Sequence, residues 1–394
     1  MNAAKRSIGT TDVAETGKTS RGGLNRGRRV AVVGGGLGGL AAALAFARGG
    51  ATVEVFERAP AITEVGAGIQ VSPNGARVLA ALGLEDAAAA RSIAAEAVEP
   101  MDAVAGRRLT RFDLTQRPGP AYRFFHRADL IDILLTACRD AGVAVHTGAE
   151  VTPGTMPEAD LVVGGDGIRS VLRPMLNGED APFFTGQVAW RAVIDHPDAA
   201  PVARVWMAPK RHAVTYPLPG GRLNIVAVQE RQQWAKEGWN IHDDPGNLRH
   251  AFRGLSGRLT GLLDKVEAVG LWGLFRHPVA GHWHKDNIAI LGDAAHPTLP
   301  FLAQGANLAF EDAWVLAACC DGAEIAEALP RYQQMRRDRV QRAISTANGN
   351  AVKYHLGGLP RRVAHIGLRG IGALAPGAYL NRLNWLYDHD VTQG

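Results

Sequence analysis

Three stretches of this chain run from an apolar segment into glycine and an acid, and each could hold part of a nucleotide. In the first, Gly34-Gly35-Gly36-Leu37-Gly38-Gly39 follows Arg29-Val30-Ala31-Val32-Val33, a run with the character of a buried parallel strand. Gly34, Gly36 and Gly39 fit G-x-G-x-x-G, which allows a tight turn, close backbone approach to a pyrophosphate and close helix–strand packing. A helix is predicted from Leu40 to Arg48, then a strand over Thr52-Val53-Glu54-Val55-Phe56 that ends in Glu57. Glu57 is placed to accept ribose hydroxyls, and an acid there disfavours a 2′-phosphate, so the nucleotide is FAD or NAD rather than NADP. An ordinary βαβ turn is the plain alternative.

The second stretch is Ala159-Asp160-Leu161-Val162-Val163, ending in Gly164-Gly165-Asp166-Gly167-Ile168-Arg169-Ser170. The third is Asn287-Ile288-Ala289-Ile290-Leu291, followed by Gly292-Asp293-Ala294-Ala295-His296-Pro297 and by Gln304-Gly305-Ala306-Asn307 at the mouth of a helix predicted from Asn307 to about Cys320. The Asp293 carboxylate can accept from sugar-type hydroxyls. The N–H groups near Gly305, Ala306 and Asn307, at the positive end of that helix, can hold developing negative charge. A flavin requires both, because its ribityl chain offers hydroxyls and its reduced ring is anionic at N1 and O2. Any helix N-terminus after a strand shares part of this pattern.

Two further positions could do chemistry. His212 and Tyr216 lie four residues apart on the run Arg211 to Leu218, so on a strand both side chains point to one face. A histidine titrates in the range a general base needs, although a strand histidine paired with nothing is the plainer reading. Arg127 sits near a helix start at about Ala128, where a guanidinium can reach a phosphate or ribityl oxygen or make a surface ion pair.

The elements that must position these residues follow an α/β idiom broken by an insert. The turn Gly66 to Gly75 leads to a helix from about Gly75 to Leu82, Ala87 to Ala97 is predicted as helix on its alanines, and Arg123 to Cys138 enters a helix. After Gly178 the texture changes to short strands with Pro/Gly turns: Gly186 to Ile194, Ala203 to Ala208, Arg211 to Leu218 and Arg222 to Glu230, an antiparallel pattern. Pro245 to Asp264 is predicted helical, Val266 to Phe275 returns as a strand, and the α/β idiom resumes at Asn287. The expected fold is therefore α/β with an α+β insert. A Rossmann-like nucleotide domain is split into residues 30–180 and 276–330, with a mixed or antiparallel sheet domain at 181–275 and a C-terminal helical region at 331–394.

The length of 394 residues and the 46% hydrophobic content suit a large globular enzyme. The formal charge of +5 comes from residues 1–29, where Lys5, Arg6, Lys18, Arg21, Arg26, Arg28 and Arg29 outnumber Asp12 and Glu15. The rest is neutral, which gives no reason to invoke nucleic acid. That segment has little apolar content and is expected to be a disordered tail without a secretory signal. Cys138, Cys319 and Cys320 show no metal or C-x-x-C spacing, which points to no metal, a reducing compartment and the cytoplasm. No run reaches membrane-spanning length.

The three glycine-acid elements, in this order over residues 30–394, resemble the single-component FAD-dependent aromatic hydroxylases, the group with the p-hydroxybenzoate hydroxylase fold. Gly34 to Gly39 with Glu57 is similar to their dinucleotide motif, Gly165-Asp166-Gly167 to their second motif, and Gly292-Asp293 to their ribityl-binding motif. Gly66-Ala67-Gly68-Ile69-Gln70, His126-Arg127-Ala128-Asp129-Leu130 and the run Gly292 to Ala313 place the resemblance nearest the salicylate hydroxylase, 3-hydroxybenzoate 6-hydroxylase and 6-hydroxynicotinate 3-monooxygenase group. The resemblance assigns the dinucleotide motif to FAD, with NADH or NADPH binding transiently. It implies cofactor contacts at Gly34, Gly36, Gly38, Gly39, Glu57 and Arg58, at Gly68, Arg127, Asp166 and Gly167, and at Asp293, Pro300, Gly305, Ala306 and Asn307. Arg211 to Pro217 is similar to the group's His-x-x-x-Tyr-Pro element, which makes His212 and Tyr216 catalytic residues that meet the substrate hydroxyl, and it makes His296 structural.

The activity implied is hydroxylation of a small hydroxylated aromatic acid or N-heteroaromatic analogue with O2, through a flavin C4a-hydroperoxide, by a monomer or homodimer. A monooxygenase or epoxidase acting on a larger polyketide- or terpenoid-like molecule is the rival, and a non-catalytic flavin- or NAD-binding protein the other alternative. Pro300 departs from the polar residue of the 3-hydroxybenzoate 6-hydroxylases, and Phe301 from the histidine of the hydroxynicotinate enzymes.

Overall fold

A computed structural model describes residues 25–62, 68–179, 181–231 and 241–393. The expected turn residues Gly66 and Ala67, and the tail up to residue 24, lie outside them. From N- to C-terminus the chain forms β1 (Arg29–Val33), α1 (Leu37–Arg48), β2 (Thr52–Glu57), β3 (Gly68–Val71), α2 (Pro73–Ala81), α3 (Glu85–Ala90), β4 (Ser92–Ala94) and β5 (Ala97–Asp102). There follow β6 (Arg107–Arg108), β7 (Phe112–Asp113), β8 (Arg123–His126), α4 (Arg127–Asp140), β9 (Ala144–Thr147), β10 (Leu161–Gly164) and α5 (Arg173–Asn177). The insert contributes β11 (Phe183–Asp195), β12 (Val202–Ala208), β13 (Arg211–Leu218), β14 (Arg222–Glu230), β15 (Ile241–Asp243), α6 (Pro245–Ala251), α7 (Gly257–Leu263) and β16 (Val269–Arg276). The chain closes with β17 (His284–Lys285), β18 (Ile288–Ile290), α8 (Gly305–Cys320), α9 (Ile325–Tyr354), α10 (Gly358–Leu374), α11 (Pro376–Asn381) and α12 (Asn384–Tyr387).

β1, β2, β9, β10 and β18 run parallel in one sheet, ordered β17-β18-β10-β1-β2-β9 with β17 antiparallel at the edge. Their apolar side chains are buried on both faces, Val32, Val55, Val163 and Ile290 completely, which explains why these strands read as unbroken hydrophobic runs. Parallel strands share one carboxyl edge, and ligands gather there. The register pairs Val33 with Gly164 and Phe56, and Gly164 with Ile290. Three glycine-acid motifs that are far apart in sequence are thereby delivered to one edge. The larger sheet, ordered β15-β16-β11-β14-β13-β12-β5-β6 with β7 on β5, stands beside it, and β3-β8-β4 form a small third sheet.

Four expectations are corrected. The helix over Ala87 to Ala97 stops at Ala90. Ser92 and Ala94 pair instead with Phe125 and Arg123 of β8, and Ala97 pairs with Val202, so sheet pairing outweighs alanine propensity. β5, β6 and β7 join the large sheet from residues 97–113, which were expected to serve the nucleotide domain. The helix over Pro245 to Asp264 is two helices broken at Gly254, whose φ of +76° lies outside the helical region. Residues 25–29 are not a loose tail: Asn25 is buried, the Arg28 guanidinium donates to the carbonyls of Cys320 and Ala323, and Arg29 opens β1.

Candidate active site

At the carboxyl edge of the parallel sheet lies a cavity of about 410 Å³, within the usual range for ligand sites, roughly 300–1,000 Å³. Gly34, Gly36, Gly38, Glu57, Arg58, Asp166 and Gly167 line it, together with Asp293, Pro300, Gly305 and Ala306, Gly68 and Arg127, and His212 and Tyr216.

Gly34 adopts φ +103°, and a Cβ there would lie 2.6 Å from the Gly165 carbonyl oxygen, so the turn after β1 touches the turn after β10. A Cβ on Gly36 would meet nothing within 4 Å, so this position faces the cavity with backbone alone, as close approach of a pyrophosphate requires. Glu57 accepts from the Gly35 N–H at 2.7 Å and the Ala59 N–H at 2.8 Å. Its carboxylate thus fixes the glycine turn as well as facing the cavity, and each oxygen keeps a second lone pair for a ribose hydroxyl.

Both aspartates line the cavity and keep acceptor capacity toward it. Asp166 Oδ2 accepts from the Val171 N–H at 2.8 Å, while buried Oδ1 has no hydrogen-bond partner. Burial pushes its carboxyl pKa up, against the hydrogen bonds from Ser170 and Val171. Asp293 is open to the cavity but set deep within it, and the same desolvation raises its pKa against the opposing charges of His296 and Arg127. An acceptor in this condition gains from a hydroxyl donor. The open Gly36 position, the orphaned Asp166 oxygen and the deep Asp293 all fit the sugar-phosphate and ribityl parts of FAD.

Two expected contacts are not at the cavity. Gly39 packs against the glycine turn itself, where a Cβ would fall 2.0 Å from the Gly34 carbonyl oxygen. Asn307 is fully buried; its side chain accepts from the Ser72 N–H at 3.0 Å and donates to the Gln70 and Ala303 carbonyls at 3.2 and 2.7 Å. It fastens α8 to the β3–α2 corner, which leaves Gly305 and Ala306 to present the helix N-terminus. Gln304 continues this joint: its side chain donates to the Ser72 hydroxyl and accepts from Asn74, which also donates to Glu311.

Behind the Gly292-Asp293 turn, fully buried Asp312 accepts from the Gly292 N–H at 3.0 Å, from His296 at 2.5 Å and from Arg336 at 2.7 Å. Burial pulls its carboxyl upward, but the His296 and Arg336 charges and hydrogen bonds outweigh it and hold the pKa at about 2. His296 therefore braces the loop carrying Asp293. Ala303, in the same loop, adopts φ +52°, an unfavourable conformation for a residue with a Cβ. Among the described residues no cluster of side chains could hold a metal ion.

A second chamber of about 210 Å³ adjoins the first, sharing Gln70, Val214, Pro300 and Ala303 with it. Its wall is mostly apolar, built from Val98, Val205 and Met207 of the large sheet, Phe301 and Leu302 of the loop, Leu368 and Leu380 of the C-terminal helices, and Leu383 between α11 and α12. His212 stands beside it, its ring 5.4 Å from that of Phe301 and 5.2 Å from that of Tyr354. Desolvation, and then the neighbouring His355, hold His212 well below the ordinary histidine range. Tyr216 stacks on Phe124 at 5.2 Å and is kept protonated by burial. Sequence reading missed this chamber, and it missed Arg191 in the wall of the first cavity, because their neighbours come from distant segments.

The family described as FAD binding domain matches residues 28–156 and 153–347. A 3-amino-4-hydroxybenzoate 2-monooxygenase of Streptomyces platensis is 36% identical over 84% of this chain and 90% of its own. A 3-hydroxybenzoate 6-hydroxylase of Klebsiella oxytoca is 33% identical over 91% and 96%, and a 6-hydroxynicotinate 3-monooxygenase of Bordetella bronchiseptica 32% identical over 82% and 91%. A salicylate hydroxylase solved with its substrate shares the fold, with a TM-score of 0.77, 24% identity and coverage of 92% of this chain and 96% of that one. This chain belongs to the FAD binding domain family and, within it, to the FAD-dependent aromatic-ring monooxygenases.

Proposed function

We propose that this monooxygenase uses NADH or NADPH and O2 to hydroxylate a single-ring aromatic acid that already carries a hydroxyl group, as a cytoplasmic monomer or homodimer. The observation that carries the substrate class is the apolar chamber of about 210 Å³ beside the cofactor cavity. A cavity of about 150 Å³ holds benzene, so this one has room for one substituted ring and little more. The names of the relatives, all acting on hydroxylated benzoic or nicotinic acids, agree.

In this reading Gly36 and Glu57 would hold the adenosine side of FAD, Asp293 would accept from the ribityl hydroxyls, and the Gly305 and Ala306 amides would serve the flavin ring. FAD, when bound, would supply the redox chemistry, accepting a hydride from the nicotinamide so that one oxygen atom of O2 goes to the substrate ring and the other leaves as water. The chain's own work is positioning and proton handling. The chamber's apolar wall excludes water from the ring. His212, kept neutral by its burial, takes the proton of the substrate hydroxyl, which makes the ring electron-rich, and the Tyr216 hydroxyl orients the same group.

The test is a panel of hydroxylated benzoic and pyridine acids, scored for stimulated NADH or NADPH oxidation by the FAD-loaded protein. Stimulation by single-ring acids with matching hydroxylated product is expected. No stimulation by any of them, with turnover on a larger polycyclic phenol, would overturn the substrate class.

A further inference from the structure

His212 is one end of a hydrogen-bonded chain that leads out of the site. Its Nδ1 lies 2.7 Å from Nε2 of His355, and Nδ1 of His355 lies 2.8 Å from Oε1 of Glu230. The two histidines are buried, whereas the Glu230 side chain is 41% exposed. Three segments build the chain: β13 supplies His212, the C-terminus of α9 supplies His355, and the end of β14 supplies Glu230. Glu230 lies two residues beyond Val228, the cross-strand partner of His212, and so occupies the same sheet face. The Pro209-Lys210 turn locks the assembly, because the Lys210 N–H donates to the His355 carbonyl at 3.1 Å and its carbonyl accepts from the Glu230 N–H at 3.0 Å.

The order of donors follows from the carboxylate. Glu230 can only accept when ionised, so His355 donates from Nδ1 and must accept at Nε2. His212 then donates from Nδ1, which leaves its Nε2 lone pair for the cavity that the ring lines. We propose that His355 and Glu230 are positioning residues that fix His212 in its proton-accepting tautomer and carry the substrate proton to solvent. The step balances without any oxidant. The substrate O–H proton passes to His212 Nε2, the His212 Nδ1 proton to His355 Nε2, and the His355 Nδ1 proton to Glu230 and then to water. Each ring returns to its starting tautomer after oxygen transfer, when a solvent proton taken up by Glu230 passes to His355 Nδ1, the His355 Nε2 proton to His212 Nδ1, and the His212 Nε2 proton to the product phenolate. This inference rests on His212 being the base.

The test uses the FAD-loaded full chain labelled with nitrogen-15 histidine, with His212→Asn and His355→Gln assigning the two rings. Expected is a neutral His212 protonated at Nδ1 and bare at Nε2, and loss of that single tautomer in Glu230→Ala, whose surface position leaves the fold intact. An Nε2-protonated His212, or a Glu230→Ala spectrum identical to the parent, would overturn the proposal. A kinetic arm with NADH or NADPH and the aromatic acid that best stimulates turnover separates it from the reading beneath. His355→Gln and Glu230→Ala should each slow hydroxylation by about tenfold or more, less than a full loss of the base. Parental rates in both, with His212→Asn inactive, would overturn the conduit and keep His212 as base, whereas a parental rate in His212→Asn would overturn the base itself.

Discussion

At the scale of single residues, a base and an acid carry separable parts of the account. His212→Ala should leave FAD bound and lower hydroxylation by about 10²–10⁴-fold, the usual size of a general-base contribution. More of the NADH consumed should then appear as hydrogen peroxide, which product-to-NADH ratios measure directly. The pH dependence follows from the burial of His212. Desolvation and His355 hold it well below the ordinary histidine range, so it stays unprotonated through the region where a free histidine would titrate. Hydroxylation should therefore not fall away with a midpoint near about 6.5, and a profile that does would assign the base elsewhere. Asp293→Ala removes the carboxylate proposed to accept from the ribityl hydroxyls and should weaken FAD retention by about 1–3 kcal/mol. Equal loss of thermal stability in the FAD-free protein would make Asp293 a structural residue.

Elements explain why some of this was legible in the sequence and some was not. The β1–α1–β2 unit could be read because its signals are local: an apolar run, glycines at fixed offsets, then an acid. Gly39 shows the limit of that reading, since its motif marks a cofactor site while its own atoms only permit the turn. Gly39→Ala places a Cβ 2.0 Å from the Gly34 carbonyl oxygen, and the forced opening of the turn should cost about 1–3 kcal/mol in urea unfolding. The polar joint behind the Gly292 loop and the histidine chain were both invisible because their members are remote; Asn74 and Gln304 are 230 residues apart, and His212 and His355 are 143 apart. Arg336 is fully buried between Glu311 and Asp312, so Arg336→Met should destabilise by about 3–5 kcal/mol by stranding buried charge. Acid probes the same joint. Asp312 has a folded pKa of about 2, below its unfolded value, so its contribution is complete above about pH 4 and is lost as the pH falls toward 2. That loss should amount to about 2–3 kcal/mol, and an unfolding free energy that stays flat across this window would contradict the assignment.

The whole molecule is organised by a topology that periodicity could indicate but not assemble. Interrupting the parallel sheet with the insert sends β18 back beside β10, and this return joins the glycine turns to Asp293. The second chamber forms only where the large sheet meets the loop at Pro300 and the C-terminal segment, surfaces that no window of sequence reports. Among the described residues no helix is long and apolar enough to cross a membrane. One FAD per chain should co-purify, give a yellow protein, and persist through gel filtration.

The most direct test of the central claim is mass spectrometry of the product formed under ¹⁸O2 by the FAD-loaded protein with NADH or NADPH and the aromatic acid that best stimulates its turnover. Transfer of one oxygen atom from O2 to the ring predicts a product heavier by one labelled oxygen, formed in proportion to the pyridine nucleotide consumed. A product whose new oxygen comes from water, or nucleotide oxidation that yields only hydrogen peroxide with every single-ring acid, would contradict the claim.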